Sequence, residues 1–333
     1  MTMDLLLNKV DRNIEKVISG SGVFGGRIPA RSWIKKGKKL RARLCIAFSE
    51  RSDGKAVDMA SSMELLHAAT LIHDDILDHS SLRRGTATFH SDIGIPAGVL
   101  FGDYFFTEAL RTISSFNDPV LVRETITSLS RVLKGEMMEQ SERGNILLPE
   151  EKYHSIIEMK SGCLFGMASK AGALIRKKQK FKPDPAYKFG LNAGIAYQIL
   201  DDYMDCFGPG DGKQRFNDIK EGVITLPVIK LMSKFPPDVH KTVISVLGRH
   251  DMDPGNMRDF MEHMKRYDIP LEVLDEAEIY LKKAKMSLKN SGYEGIHPVL
   301  DILSWIENKV DNARKEYSNS RRRICGAERA QAA

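Results

Sequence analysis

Residues 67–78, HAATLIHDDILD, and residues 195–205, IAYQILDDYMD, end in acidic pentads of one form: Asp74, Asp75 and Asp78 in the first, Asp201, Asp202 and Asp205 in the second. The apolar residues leading into each pentad recur at helical spacing, so both stretches read as helices. On a helix, carboxylates four positions apart project from one face about one turn apart and can share a divalent cation. The competing reading is a solvated acidic surface. Leu65, Leu66, Leu71, Ile72, Ile76 and Leu77 around the first pentad, and Ile195, Ala196, Ile199, Leu200 and Met204 around the second, are too apolar for a water-facing helix. Carboxylates set in such segments need partners, because burying an unpaired charge is expensive. Magnesium together with an anionic phosphate ligand meets that need for six opposed carboxylates.

The same spacing extends outward from the pentads. Leu121, Thr125, Leu129, Leu133 and Met137 mark one further helix, Ile156, Met159, Cys163 and Met167 another, and Leu271, Leu274, Ala277, Leu281 and Ala284 a third. Strand-like alternation is scarce. Gly/Pro-rich breaks, such as Gly94–Pro96, Gly144–Pro149 and Gly208–Gly212, divide the rest into short-looped segments. The pattern predicts an all-α, single-domain bundle of about ten or more helices around a central cavity. Residues 1–317 form the expected domain and 318–333 a basic, flexible tail. Gly20, Gly22 and Gly25 match the spacing of a dinucleotide-binding loop, yet they follow a polar helical segment and not a buried strand, so they read as a plain loop.

With 42% hydrophobic and 28% charged residues in 333, the chain can bury a sizeable core. It carries no apolar run of membrane-spanning length and no signal-peptide pattern, which predicts a cytoplasmic protein. The four cysteines, Cys45, Cys163, Cys206 and Cys325, form no CxxC pair, so neither a zinc site nor a disulfide framework is indicated. The net charge of +6 invites a nucleic-acid partner, but the basic residues are dispersed and only 321–323 forms an RRR run, so none is expected.

Basic residues cluster beside the acidic motifs. Lys35, Lys36, Lys38, Lys39, Arg41 and Arg43 crowd one segment around Gly37, a composition suited to holding a diphosphate by charge-assisted hydrogen bonds. Arg83 and Arg84 follow the first pentad, and Lys160 and Lys213 flank the second in sequence.

Taken in order, these residues resemble the trans-isoprenyl diphosphate synthase family, from about residue 30 to about residue 310. Gly37, Lys38 and Arg41 match its Gly-Lys-x-x-Arg segment, and His67 its histidine seven residues before the first aspartate. Asp74, Asp75 and Asp78 match the first aspartate-rich motif and Arg83-Arg84-Gly85 the pair of arginines after it. Lys160, Gln198, the second motif and Lys213 follow, and EGVITLP at 221–227 resembles EGKxTLP. The resemblance implies the isoprenoid synthase fold, a homodimer, and about three Mg²⁺ per active site held by Asp74, Asp75, Asp78, Asp201, Asp202 and Asp205. It implies an allylic diphosphate bound by Arg83, Lys160, Ser161, Gln198 and Lys213, and isopentenyl diphosphate bound by Lys38, Arg41, His67 and Arg84. Ionisation of the allylic diphosphate, attack by the isopentenyl double bond and loss of a proton then give a longer prenyl diphosphate, with transient membrane-surface contact at product release. Leu66, Ala69 and Thr70, on the first motif's helix, line the channel for the growing tail. Small side chains leave that channel open, and HAATLIHDDILD resembles the longer-chain bacterial synthases that make quinone side chains, which implies a product of geranylgeranyl length or more, with a medium-to-long one favoured.

Three other readings compete. His67 and His73-Asp74 contain the His…His-Asp element of an HD-type phosphohydrolase, a class that needs no second pentad. A terpene cyclase shares the first motif but lacks the Lys38/Arg41/His67 set. A regulatory subunit of a prenyl synthase would tend to lose an aspartate motif. The chain also departs from the family pattern: Val223 replaces the lysine of EGKxTLP, Ser161 a threonine, Ala42 a proline and Phe216 a glycine. Loss of one charge-assisted bond costs about 1–3 kcal/mol. Val223→Lys should therefore lower the Michaelis constant for the allylic diphosphate; equal constants for both substrates would remove the inference.

Overall fold

The computed structural model describes residues 2–22, 37–83, 85–176, 182–208, 215–234, 237–249, 253–289, 291–293 and 296–331. In chain order the helices are α1 (Met3–Gly20), α2 (Leu40–Ser49), α3 (Gly54–Leu77), α4 (Phe89–Ile93), α5 (Ile95–Ser114), α6 (Pro119–Ser141), α7 (Glu150–Ile157), α8 (Cys163–Leu174), α9 (Pro183–Phe207), α10 (Asn217–Lys220), α11 (Leu226–Met232), α12 (Pro237–Val246), α13 (Pro254–Arg266), α14 (Ile269–Leu288) and α15 (His297–Gln331). A π-helical turn, Glu158–Gly162, joins α7 to α8. Among the described residues the only strands are β1 (Leu82–Arg83) and β2 (Thr86–Ala87), an antiparallel pair in which Arg83 faces Thr86. The architecture is all-α, as the apolar spacing predicts. The last helix continues past residue 317, where the tail was expected to begin.

The chain forms two compact units. The first comprises residues 1–132, 162–191 and 284–302, and its centre is α3. Val57, Met59, Met63, Leu65, Leu66, Ala69 and Ile72 are buried over most of the circumference of that helix. Such a wide apolar surface belongs inside a core, while Glu64, His67, Asp74 and Asp78, at helical spacing, form a half-buried polar stripe along one side. Its start is fixed by Asp53, whose carboxylate accepts the Ala56 N–H at 3.3 Å and pairs with Arg51. The buried hydroxyl of Ser61 donates to the Val57 carbonyl of its own helix at 2.7 Å, so this polar group leaves no unmet donor.

Close helix approach depends on two glycines. A Cβ on Gly102 of α5 would lie 2.2 Å from His73 Nε2 of α3, so the glycine makes the seat for that ring. A Cβ on Gly172 of α8 would lie 2.2 Å from the Cys45 carbonyl oxygen of α2. The α1 face formed by Leu6, Leu7, Val10, Ile14 and Ile18 is buried in the same core, and Lys39 Nζ pairs with Asp11 at 2.9 Å.

The second unit comprises residues 133–161, 192–283 and 303–333. Asp253 caps α13 by accepting the Gly255 and Asn256 N–H groups at 2.9 and 3.0 Å, with Pro254 opening the helix. Phe260 and Met264 of α13 and Val239 and Val243 of α12 are buried. Lys230 of α11 bonds Glu150 of α7 at 2.6 Å, and Arg314 of α15 reaches Asp275 and Glu278 of α14 at 2.7 and 2.6 Å. Among the described residues no helix is long and apolar enough to cross a membrane.

Because the neighbour at Gly172 is backbone and cannot swing aside, Gly172→Ala should overpack the α2–α8 contact at a cost of about 1–3 kcal/mol. A thermal melt of the variant checks this; an unchanged midpoint would show that the two helices can separate without loss.

Candidate active site

Both acidic motifs lie at the C-terminal ends of their helices. The first runs through the last turn of α3, with Asp78 as the residue after Leu77, and the second occupies the last two turns of α9. Neither helix has a basic residue in its last turn. The C-terminal end of a helix already carries partial negative charge and favours cations, so carboxylates placed there are repelled unless positive charge arrives from elsewhere.

The three aspartates of the first unit differ in environment. Asp75 is 1% exposed and accepts a hydrogen bond from Arg83 Nε at 2.6 Å. Burial raises its pKa despite the attraction of Arg83, and its Oδ2 is buried without a hydrogen bond. Asp74 and Asp78 are half-buried and linked along the backbone, Asp78 N–H donating to Asp74 O at 2.8 Å. Arg83 lies in β1, paired with Thr86 of β2, a short distance after the end of α3. One turn earlier, His73 Nε2 lies 3.2 Å from Val99 O and 3.6 Å from Asp103. His73 thus joins α3 to α5, a packing role different from that of a metal ligand in a phosphohydrolase.

In the second unit, Asp202 is 4% exposed, and both its oxygens accept hydrogen bonds: Oδ2 from Tyr153 OH at 2.6 Å and Oδ1 from Gln198 Nε2 at 2.8 Å. Burial, against those two bonds, pushes its pKa up to about 7. Asp205 accepts the Asn217 and Asp218 N–H groups at 3.1 and 3.3 Å and so caps α10. Asp201 is exposed. Of the six carboxylates expected to meet the metal, with Asp74, Asp78 and Asp201 as the chief holders, Asp75, Asp202 and Asp205 accept hydrogen bonds from donors of the protein itself. Asp74 and Asp78 are half-buried and Asp201 is exposed, so all three reach solvent.

The basic residues are likewise held by the protein. Lys160, in the π-helical turn, pairs with Glu136 Oε2 at 2.8 Å and Glu139 Oε1 at 2.6 Å, both on α6. Ser161 Oγ donates to Gln198 Oε1 at 2.6 Å, so these two expected phosphate ligands bond each other. In the first unit the Arg41 guanidinium lies 4.3 Å over the Phe165 ring, Lys38 is exposed and His67 half-buried. Leu66 and Ala69 are fully buried in the same core as Met63 and Phe105, and Thr70 Oγ1 donates to His67 O at 2.8 Å. Arg84 and Lys213 lie outside the described residues.

Tyr153, Glu136, Glu139 and Asp218 escape sequence reasoning. Burial, then repulsion from Asp205, Asp202 and Asp201, raises Asp218 well above the usual carboxylate range. Only the pair Glu136 and Glu139, three apart on a helix, gave a local signal. Phe216, where the resembled family has glycine, has φ 64°, a left-handed conformation that costs a residue with a Cβ about 1–2 kcal/mol. Its ring packs 6.3 Å from Phe260 and under Arg215 at 4.8 Å, which offsets part of that strain.

The donor set fits a hard divalent cation: it is all carboxylate oxygen, with mutual repulsion for a cation to relieve. Among the described residues no three His, Cys, Asp or Glu side chains already converge on one point. Magnesium is commonly held by one or two carboxylates together with substrate phosphate and water, so a sparse protein set matches it better than a closed cage would.

A family model described as polyprenyl synthetase matches residues 28–264. The geranylgeranyl diphosphate synthase of Saccharolobus solfataricus is 30% identical over 278 residues, spanning 76% of this chain and 84% of that protein. Among solved structures, octaprenyl pyrophosphate synthase from Helicobacter pylori superposes with TM-score 0.81 at 26% identity, covering 92% of this chain and 99% of that one. A polyprenyl synthase from Caulobacter crescentus, solved with calcium and isoprenyl diphosphate, gives 0.76 at 25% identity, covering 91% and 97%.

The capping role of Asp205 separates it from Asp201. Asp205→Ala should cost about 1 kcal/mol of stability through loss of the α10 cap, whereas Asp201→Ala should leave the ligand-free thermal midpoint near that of the parent. Equal midpoints for the two variants would assign them the same role.

Proposed function

The chain belongs to the polyprenyl synthetase family, and from that premise we propose that it is a magnesium-dependent trans-prenyltransferase that condenses isopentenyl diphosphate with an allylic diphosphate to give a polyprenyl diphosphate of C20 or longer. The observation that carries the metal requirement is the placing of two acidic motifs at helix C-termini with no basic residue in either last turn.

Asp74, Asp78 and Asp201 hold the cations, while Asp75, Asp202 and Asp205 fix the framework around them. Magnesium, when bound, withdraws charge from the allylic diphosphate and so eases cleavage of its C–O bond. Arg83 and Lys160 are already oriented by Asp75 and by Glu136 and Glu139, and they offer their remaining N–H groups to the diphosphate, with Lys213 as a further cation. Lys38, Arg41, His67 and Arg84 receive isopentenyl diphosphate. Leu66, Ala69 and Thr70 shape the channel for the tail, where the apolar surroundings exclude water from a cationic intermediate. The homodimer implied by the resemblance would find exposed apolar side chains on α5, Ile95, Val99 and Leu100, and on α6, Val120 and Ile126.

Incubation with radiolabelled isopentenyl diphosphate, Mg²⁺ and farnesyl or geranylgeranyl diphosphate, followed by product sizing, tests the reading. An elongated prenyl diphosphate is the expected result. Phosphate release without elongation would favour a hydrolase, a cyclic hydrocarbon a cyclase, and no reaction by the folded protein a regulatory subunit. Ala69→Phe should shorten the product, because its ring enters the buried face of α3; an unchanged product distribution would place the channel floor at another residue.

A further inference from the structure

We propose that Tyr153 is a positioning residue for the second aspartate motif: with Gln198 it fixes the Asp202 carboxylate inward and so sets the direction in which Asp201 presents its own. The inference rests on the prenyltransferase reading and adds to it a side chain that lies outside every motif in the sequence.

The geometry is a buried chain of hydrogen bonds across three elements. Ser161 Oγ, in the π-helical turn, donates to Gln198 Oε1 at 2.6 Å, and Gln198 Nε2 donates to Asp202 Oδ1 at 2.8 Å. Tyr153 OH, from α7, closes the chain by donating to Asp202 Oδ2 at 2.6 Å. Tyr153, Ser161 and Asp202 are all buried. With the Gln198 oxygen accepting and its nitrogen donating, the amide has one orientation that satisfies both partners. Each Asp202 oxygen then has a donor aimed at it from a different element, which leaves the side chain a single favourable position.

Successive residues on an α-helix are rotated by about 100°. Fixing Asp202 toward the interior therefore places Asp201 on a different face of α9, and Asp201 is indeed exposed. Asp205, one turn after Asp201, is tied separately by the α10 N–H groups. The end of α9 is thus held on two sides with the outward carboxylate between them. Without the Tyr153 hydroxyl, Asp202 Oδ2 would be buried with no donor, and the carboxylate would lose its single favourable position and could turn away from it. That rearrangement at the end of α9 changes how strongly the motif holds magnesium.

A tyrosine that merely fills the core predicts a different result, because its loss would lower stability and leave the cation response unmoved. The test uses the full chain and Tyr153→Phe, which keeps the ring and removes the hydroxyl. The first readout is the Mg²⁺ concentration giving half of the thermal stabilisation produced by inorganic pyrophosphate. The second is the pair of Michaelis constants for the allylic and isopentenyl diphosphates. The magnesium midpoint should rise by up to about tenfold, the low end of what losing a direct support of a metal ligand costs, because Tyr153 acts on Asp201 through its neighbour Asp202. The allylic constant should rise with it, and the isopentenyl constant should stay at the parent value. A magnesium midpoint equal to the parent's would overturn the inference. Ser161→Ala, which removes the far end of the same chain, should move the midpoint in the same direction; should Tyr153→Phe fail to fold, an unchanged midpoint in Ser161→Ala overturns it instead. The stabilisation assay needs only metal and pyrophosphate, so parent protein that binds both yet makes no elongated product would refute the prenyltransferase reading and leave this inference to be decided on its own.

Discussion

Negative charge concentrated at helix C-termini is the constraint around which this protein is built. Two helices, α3 and α9, each end in a cluster of aspartates and have no basic residue in the last turn to balance them. The backbone dipole adds to the repulsion instead of relieving it. The protein answers part of the charge with donors of its own. Arg83 meets Asp75, Tyr153 and Gln198 meet Asp202, and two backbone N–H groups meet Asp205. The charge on Asp74, Asp78 and Asp201 is what a bound cation would neutralise. Each motif of three aspartates thus contains members whose oxygens are tied by the protein's own donors and members that reach solvent.

The cations expected to bind phosphate show the same economy of motion. Lys160 is held by Glu136 and Glu139, and Arg83 by Asp75. A long basic side chain loses much conformational freedom when it binds an anion. Holding it beforehand against a carboxylate moves that loss to folding, so an anion bound there would meet cations already in place. Tyr153 extends the principle from cations to carboxylates.

Much of the fold was legible because helical periodicity is local. The apolar residues around Asp74 and Asp201 identified two buried helices, and the scarcity of alternation excluded a sheet-based domain; the two short strands that do form pair Arg83 with Thr86. The Phe216 departure was visible as a broken pattern, but its reason, a left-handed backbone at that position, was not. Likewise the His…His-Asp element raised a phosphohydrolase reading that the contact of His73 with Val99 and Asp103 explains as packing.

The sequence by itself determined the helical class, the two acidic motifs and the order of basic residues around them, because each follows from residue type and short-range spacing along one helix. Tertiary structure decided which carboxylate of each motif is engaged, since donors such as Tyr153 and Arg83 come from separate elements. It also decided that both motifs end their helices, which gives their charge its force. The physical reason is that a hydrogen bond saturates a particular oxygen in a particular direction, and no spacing rule along the chain can state which distant group will arrive there.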